Sequence, residues 1–374
     1  MVGTRMRGPG PRLVIMIPAA VVLVLGLNAG VLLLGLPAPI SWSRLPDLHA
    51  PLLVFGFVGA LIALERAVAL RRRWPYGAPV LMIAGCLVAL SDAPASIGPL
   101  LVVIGLGVHL AQYVAIWRRQ PMTATAIQAA GAGVAVAAAL TWAAGVAPAL
   151  LVPMLASYLV LTIAGERLEL ARIANFGPGP ERSLLVSAFA LAVLSTLTLV
   201  VPAIAVPLSG LALAVIVLWL ARYDVVRSTA RLRGLPRYTA VCLIIGMGWL
   251  ALASAGWMLG GAQSDGPIFD ATTHAIMVGF VMTAIMAPAP LLLPAVLRVG
   301  VPCPPALYVP VALLSVTLAV RVLFGDAAGL TWALRVGGIG SIAALVLFAV
   351  TVIVVATRRA AQASRQKGVH NVAS

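Results

Sequence analysis

Charge is what this sequence has least of. Asp, Glu, Lys and Arg make up 9% of its 374 residues, against about a quarter in soluble globular domains. With 62% hydrophobic residues and a mean hydropathy of +1.09, such a chain cannot cover a water-soluble surface, so its solvent is the lipid bilayer. Acidic residues are scarcer still, 10 against 25 basic, for a formal net charge of +15. In a soluble protein that excess would point to nucleic acid; in a membrane chain basic residues mark cytoplasmic loops, and no nucleic-acid partner is expected. Cysteine is equally thin. Cys86, Cys242 and Cys303 show no CxxC spacing and fall in or beside apolar runs, a pattern that supports neither a disulfide framework nor a zinc site.

What is present is a series of long apolar runs. A spanning helix needs roughly 20 such residues, and about twelve runs qualify: 13–36, 48–69, 77–92, 96–117, 122–143, 147–167, 183–202, 205–221, 238–260, 270–296, 303–323 and 334–357. The third is short. The seventh and eighth are divided by no charge, only by Pro202 and Pro207. The first follows Arg5, Arg7 and Arg12 like a signal peptide, yet it is too long for a signal core and lacks a small-x-small cleavage site, so it reads as a retained helix. The expected protein is an all-α integral membrane protein with one polytopic domain. A twelve-helix bundle over 13–357 is flanked by cytoplasmic tails at 1–12 and 358–374.

Orientation follows from the basic residues. With the N-terminus inside, 22 of the 25 fall on inner segments, leaving Arg44, Arg321 and Arg335 outside. That asymmetry predicts a multi-pass protein of a bacterial-type inner membrane with both ends cytoplasmic. The second run ends in Glu65-Arg66 and the sixth in Glu166-Arg167, positions 101 apart, while the tenth descends in the same direction to Leu297-Arg298. Runs two, six and ten therefore read as equivalent members of three four-helix units. The charges at their inner ends predict pairing that locks the bundle, the sharper alternative being a cytoplasmic gate or proton entry.

Four histidines carry the candidate chemistry. His49 and His274 each stand about one turn inside the outer end of a run, in Leu48-His49-Ala-Pro-Leu-Leu-Val-Phe-Gly-Phe57 and Asp270-Ala-Thr-Thr-His274-Ala-Ile-Met-Val-Gly279. Imidazoles at one depth on two helices can ligate a haem iron axially, and intramembrane ionisable residues are functional candidates by default. The bland alternative for each is a hydrogen-bonded interface histidine. His109, in Gly105-Leu-Gly-Val-His-Leu-Ala-Gln112, reads as a structural histidine with Gln112 as its local partner, the alternatives being a second metal or a quinone contact. His370 lies in the polar tail. Met277, Met282 and Met286 read as apolar filler rather than copper ligands.

Twelve helices with histidines at the outer ends of the second and tenth resemble the core subunit of the haem-copper oxidases, whose helices form three quasi-equivalent arcs. His49-Ala-Pro-Leu-Leu-Val-Phe-Gly-Phe57 and His274-Ala-Ile-Met-Val-Gly279 are more closely similar to the two histidine motifs of the NnrS family, polytopic haem proteins of the nitric oxide response. The resemblance implies a haem-copper-oxidase-like quasi-threefold bundle holding haem b between His49 and His274 near the extracytoplasmic face. It implies nitric oxide or an electron-transfer partner beside the haem. It also suggests Arg44, Arg321 and Arg335 as partners for the haem propionates, since guanidinium matches a carboxylate bidentately. The bland alternative is three rim arginines facing headgroups.

The departures count as well. Pro51 and Leu52 stand where NnrS proteins carry a second histidine and a glutamate, and neither the sixth nor the seventh run contains the histidines an oxidase or nitric oxide reductase needs for its second metal. A binuclear reaction centre is therefore not expected. The alternative function is a secondary transporter of a small solute without haem, for which twelve helices, quasi-repeats and the prolines Pro288, Pro290 and Pro294 of the tenth run also speak.

Overall fold

The computed structural model describes residues 11–172, 177–290 and 305–372, the side chains of 11–13, 356 and 358–372 excepted. Arg5, Arg7, Pro294, Leu297, Arg298 and Cys303 lie outside the described residues, as do the side chains of Arg12, Arg358, Arg359, Arg365, Lys367 and His370. Among the described residues no strand occurs. The helices are α1 (Pro11–Leu33), α2 (Pro46–Leu70), α3 (Trp74–Ala89), α4 (Ile97–Arg119), α5 (Thr123–Ala143) and α6 (Pro148–Ala171), then α7 (Pro178–Leu197), α8 (Pro202–Tyr223), α9 (Leu235–Gly260), α10 (Gly266–Met286), α11 (Pro305–Asp326) and α12 (Thr331–Val372).

Eleven of these are long and apolar enough to cross a membrane, so the chain is a polytopic, all-helical membrane protein. The shortfall is α3. Its span from Trp74 to Ala89 rises roughly 24 Å at 1.5 Å per residue, less than the ~30 Å of a hydrocarbon core. Several starts are written by proline in the first turn, where the missing N–H has no helical partner anyway: Pro46, Pro75, Pro148 and Pro236 all stand there. Ends are set by left-handed residues. Gly145 (φ 92°) follows α5 and Gly261 (φ 66°) follows α9, while Arg71 (φ 53°) closes α2 as the one non-glycine residue of positive φ among those described.

Lipid reverses the usual pattern of burial. On α1 the outward stripe Val14, Ile17, Val21 and Val24 is as apolar as the inward stripe Ile15, Ala19, Val22, Leu25 and Ala29. Polarity does not distinguish the two faces; the inner one differs in carrying Ala19 and Ala29, small residues that let helices approach where no water drives them together.

The chain divides into two compact units. Unit one comprises Met1–Glu166 with Ala188–Ala205, and unit two comprises Arg167–Ser187 with Val206–Ser374. In unit one, α2 lies against both α1 and α3. Its Gly56 leaves no room for a side chain, since a Cβ there would stand 2.6 Å from Val22 and 2.9 Å from the Cys86 sulfur. In unit two, α9, α10, α11 and α12 share a core of Tyr238, Cys242, Leu243, Met286, Val311, Leu314 and Ala344. There Tyr238 donates to the Met286 carbonyl at 3.3 Å and meets Tyr308 edge-on at 5.2 Å.

Three helices depart from α geometry. Leu52–Gly59 in α2, Ala275–Met282 in α10 and Val320–Asp326 in α11 are π-helical. A π turn holds about one residue more than an α turn, re-aims the side chains beyond it, and is frequently met at functional sites. Two of the three begin within three residues of the histidines of interest. Each of those two contains Gly-Phe-Val, at Gly56-Phe57-Val58 and Gly279-Phe280-Val281, and each glycine faces a bulky neighbour, Val22 in one unit and the Trp249 ring in the other.

Candidate functional site

His49 enters α2 behind a short turn that starts at Pro46. It is half-buried, and its Nδ1 lies 2.8 Å from the Gly26 carbonyl of α1. A carbonyl only accepts, so Nδ1 carries the proton and the ring's lone pair is on Nε2. Gly30, one turn beyond Gly26, makes the ledge for this ring, for a Cβ there would stand 3.0 Å from His49 Cε1. Gly26 and Gly30 thus form a Gly-x-x-x-Gly step that lets α1 come close enough to orient the imidazole.

His274 is built the same way by different means. Its Nδ1 donates to the Asp270 carbonyl at 2.8 Å, one turn back on its own helix, and lies 3.2 Å from the Asp270 carboxylate. Again the lone pair is left on Nε2. Behind Asp270 stands Arg321 of α11, 9% exposed, whose Nε and Nη2 reach the two carboxylate oxygens at 3.0 Å and 2.7–3.0 Å. Asp326, in the same π stretch as Arg321, lies against Asp270 and Arg321, and its Oδ2 has no hydrogen-bond partner among the described residues. Arg321, Asp270 and His274 form one relay of orientation, from guanidinium to carboxylate to imidazole.

His109 and Gln112 are fully buried in α4. Gln112 Nε2 donates to the carbonyls of Ala63 at 3.1 Å and Pro75 at 2.8 Å, and this fixes the amide with Oε1 turned to His109 Nδ1 at 2.8 Å. Oε1 accepts, so Nδ1 is the protonated nitrogen, Nε2 holds the lone pair, and the Tyr158 hydroxyl of α6 donates to it at 3.3 Å. Each role follows from the fixed carbonyls at the start of the chain. Tyr113 crosses the His109 ring edge-on at 5.0 Å. At the end of α2, Arg66 donates to Glu166 of α6 at 2.5 Å. The next residue, Arg167, forks onto Asp224 at 2.6 Å twice, and Asp224 accepts from the Val226 N–H.

Of the residues expected from sequence to hold a cofactor, the structure brings His274 and Arg321 together at Asp270. His49 and Arg44 both belong to unit one; Arg44 is exposed and donates to the Ser91 carbonyl at 2.5 Å. Arg335 is exposed at the first turn of α12. The expected pairing of His109 with Gln112 is present, and of the Glu and Arg residues at the ends of α2 and α6 Arg66 pairs with Glu166. Sequence reasoning missed Asp270 as the orienting carboxylate, although its place four residues before a histidine was a usable signal. It also missed Asp326, Tyr113 and Tyr158, which no local pattern marks. Among the described residues no group of three or more His, Cys, Asp and Glu side chains could hold a metal ion.

No curated protein and no solved structure matches this chain. A family model described as a domain of unknown function, DUF8744, matches residues 12–357. That match spans every membrane-crossing helix, and the chain belongs to the DUF8744 family.

Proposed function

We propose that this is a haem-binding integral membrane protein of NnrS-like type, with His49 and His274 as axial ligands and a role in the nitric oxide response or in membrane redox chemistry. The observation that carries the reading is the matched state of the two imidazoles. Each gives Nδ1–H to a backbone carbonyl at 2.8 Å, leaving the Nε2 lone pair as donor, the arrangement in which metal-ligating histidines are ordinarily held. The π-helical stretch that follows each histidine adds support. The proposed arrangement is a twelve-helix, oxidase-like bundle with both ends cytoplasmic, supported by 22 of 25 basic residues on one set of loops. In it Arg44 and Arg335 are the propionate partners. Arg321 acts through Asp270 to orient His274, which refines its expected role as a propionate partner. Held by His49 and His274, a haem would supply one-electron transfer or the binding of a gas such as nitric oxide.

The test is an absorption spectrum of protein purified from haem-replete cells, oxidised and then reduced. A sharp haem b α-band, lost in both His49→Ala and His274→Ala while the protein stays folded, is the expected result. A colourless preparation, or a band indifferent to both changes, overturns the reading. It would favour a secondary transporter, for which the π breaks in α2, α10 and α11 and the buried Asp270–Arg321 pair are the supporting observations.

A further inference from the structure

We propose that unit one binds the headgroup phosphate of an anionic phospholipid where the turn from Arg71 to Trp74 meets the end of α4, with the acyl chains lying along α3 and α4. The site stands at the opposite end of α2 from His49, and its test needs no haem.

Four observations carry the proposal. First, positive charge gathers there without a counter-charge. Arg71, Arg72, Arg73, Arg118 and Arg119 are all exposed, and among the described residues none of the five forms an ion pair. Of the acidic residues of unit one, Glu65 and Glu166 meet Arg66, while Asp47 and Asp92 stand near the far ends of α2 and α3. Second, packing brings the two arginine groups to one place. Arg119 Nη2 donates to the Leu70 carbonyl at 3.4 Å and Gln112 Nε2 to the Pro75 carbonyl at 2.8 Å; farther along, a Cβ on Gly105 would stand 2.8 Å from Met82 and one on Gly85 2.7 Å from Val102. α3 and α4 therefore run antiparallel in close contact. Third, the faces that these helices turn to lipid end in guanidinium. On α3 the exposed Val80 and Leu87 are seven residues apart, and the same step back from Val80 reaches Arg73, whose backbone is already helical. On α4 the same step runs from exposed Ile104 through Ala111 to Arg118. Seven residues are about two turns, so each arginine heads an apolar stripe. Beside each stands a tryptophan, Trp74 at 42% and Trp117 at 41% exposure, the side chain that favours the headgroup level. Fourth, α3 rises only about 24 Å against a hydrocarbon core of ~30 Å. A bilayer beside so short a helix thins, which brings its phosphates toward Arg73.

The chemistry selects an anionic lipid over a zwitterionic one. A guanidinium forks onto two phosphate oxygens, and a lipid such as phosphatidylglycerol brings that phosphate with no cation of its own. Phosphatidylcholine carries a quaternary ammonium beside its phosphate, which the surrounding arginines repel. Arg119 is engaged by the Leu70 carbonyl, so Arg73 and Arg118, at the heads of the two stripes, are the phosphate ligands.

The experiment titrates the full chain in detergent micelles with dioleoylphosphatidylglycerol or dioleoylphosphatidylcholine, which share their acyl chains, and counts bound lipid by native mass spectrometry. The expected result is binding of the anionic lipid about tenfold tighter than of the zwitterionic one. The double change Arg73→Gln with Arg118→Gln is expected to abolish that preference, whereas Arg227→Gln with Arg231→Gln, an exposed basic pair of unit two, leaves it in place. Excess inorganic phosphate is expected not to displace the lipid, because the acyl chains hold it as well. Equal binding of the two lipids by the unsubstituted chain overturns the site before any variant is made. A preference that survives the first double change, or falls equally in the second, overturns it as well, since net charge alone then explains the binding. Displacement by inorganic phosphate makes the site one for a free anion and overturns the lipid.

Discussion

The two units bury polar groups by opposite rules. In unit one the deep network of Gln112, His109 and Tyr158 is assembled from neutral side chains that end on the carbonyls of Ala63 and Pro75, and its charged pair, Arg66 with Glu166, sits at the partly exposed edge. In unit two the charge itself is buried: Arg321, 9% exposed, faces the carboxyls of Asp270 and Asp326 and through Asp270 reaches His274. A neutral network fails in proportion to the hydrogen bonds removed, whereas a buried ion pair fails all at once when one partner goes. His274 in unit two is thereby tied to a charged pair, while His49 in unit one gives its Nδ1–H to a backbone carbonyl.

Arg321→Ala breaks this contrast hardest. It leaves Asp270 uncompensated beside Asp326, and a loss of about 3 kcal/mol is expected, the low end for a broken buried pair because Asp270 keeps some exposure. The thermal unfolding midpoint in detergent checks it, and the double change Asp270→Leu with Arg321→Met is expected to recover most of the loss. Gln112→Leu is the neutral counterpart. It strands the His109 Nδ1–H and removes the side-chain donor from the carbonyls of Ala63 and Pro75, for about 2 kcal/mol, and no second substitution of one residue is expected to rescue it. Gly30→Ala sets a methyl 3.0 Å from His49 Cε1, an overpacking of about 1 kcal/mol; haem titration is expected to show weaker binding than wild type. Glu166→Gln is the mildest, about 0.5 kcal/mol, since the pair is at the edge and screened. A loss comparable to Arg321→Ala would erase the distinction between edge and interior.

The expected helices survive because they rest on length and composition. Each of the apolar runs overlaps one of α1–α12, and the run singled out as short is the one, α3, that falls below the length of the other eleven. Hydropathy speaks for membrane burial directly, since every backbone group in lipid must be satisfied within a helix. The π stretches were not legible, because Leu52–Gly59 and Ala275–Met282 have the composition of ordinary spanning helix. Gln112 was found because it is one turn from His109, and Tyr158 was not because it is 49 residues away. Likewise Asp270 stood in the motif, but its counter-charge comes from a position 51 residues on.

By itself, then, the sequence determined that this chain lives in lipid, roughly which stretches are helical, where positive charge collects along it, and that histidines stand at matched places in two helices. These are properties of local composition and of the solvent, and no partner is needed to state them. Only the tertiary structure decided which distant groups complete each histidine's surroundings. The Gly26 carbonyl at His49, the Ala63 and Pro75 carbonyls that fix Gln112 beside His109, and Arg321 behind Asp270 are choices made between helices that chain order leaves open. A hydrogen bond acts over about 3 Å, and only packing brings residues so far apart in sequence within that reach.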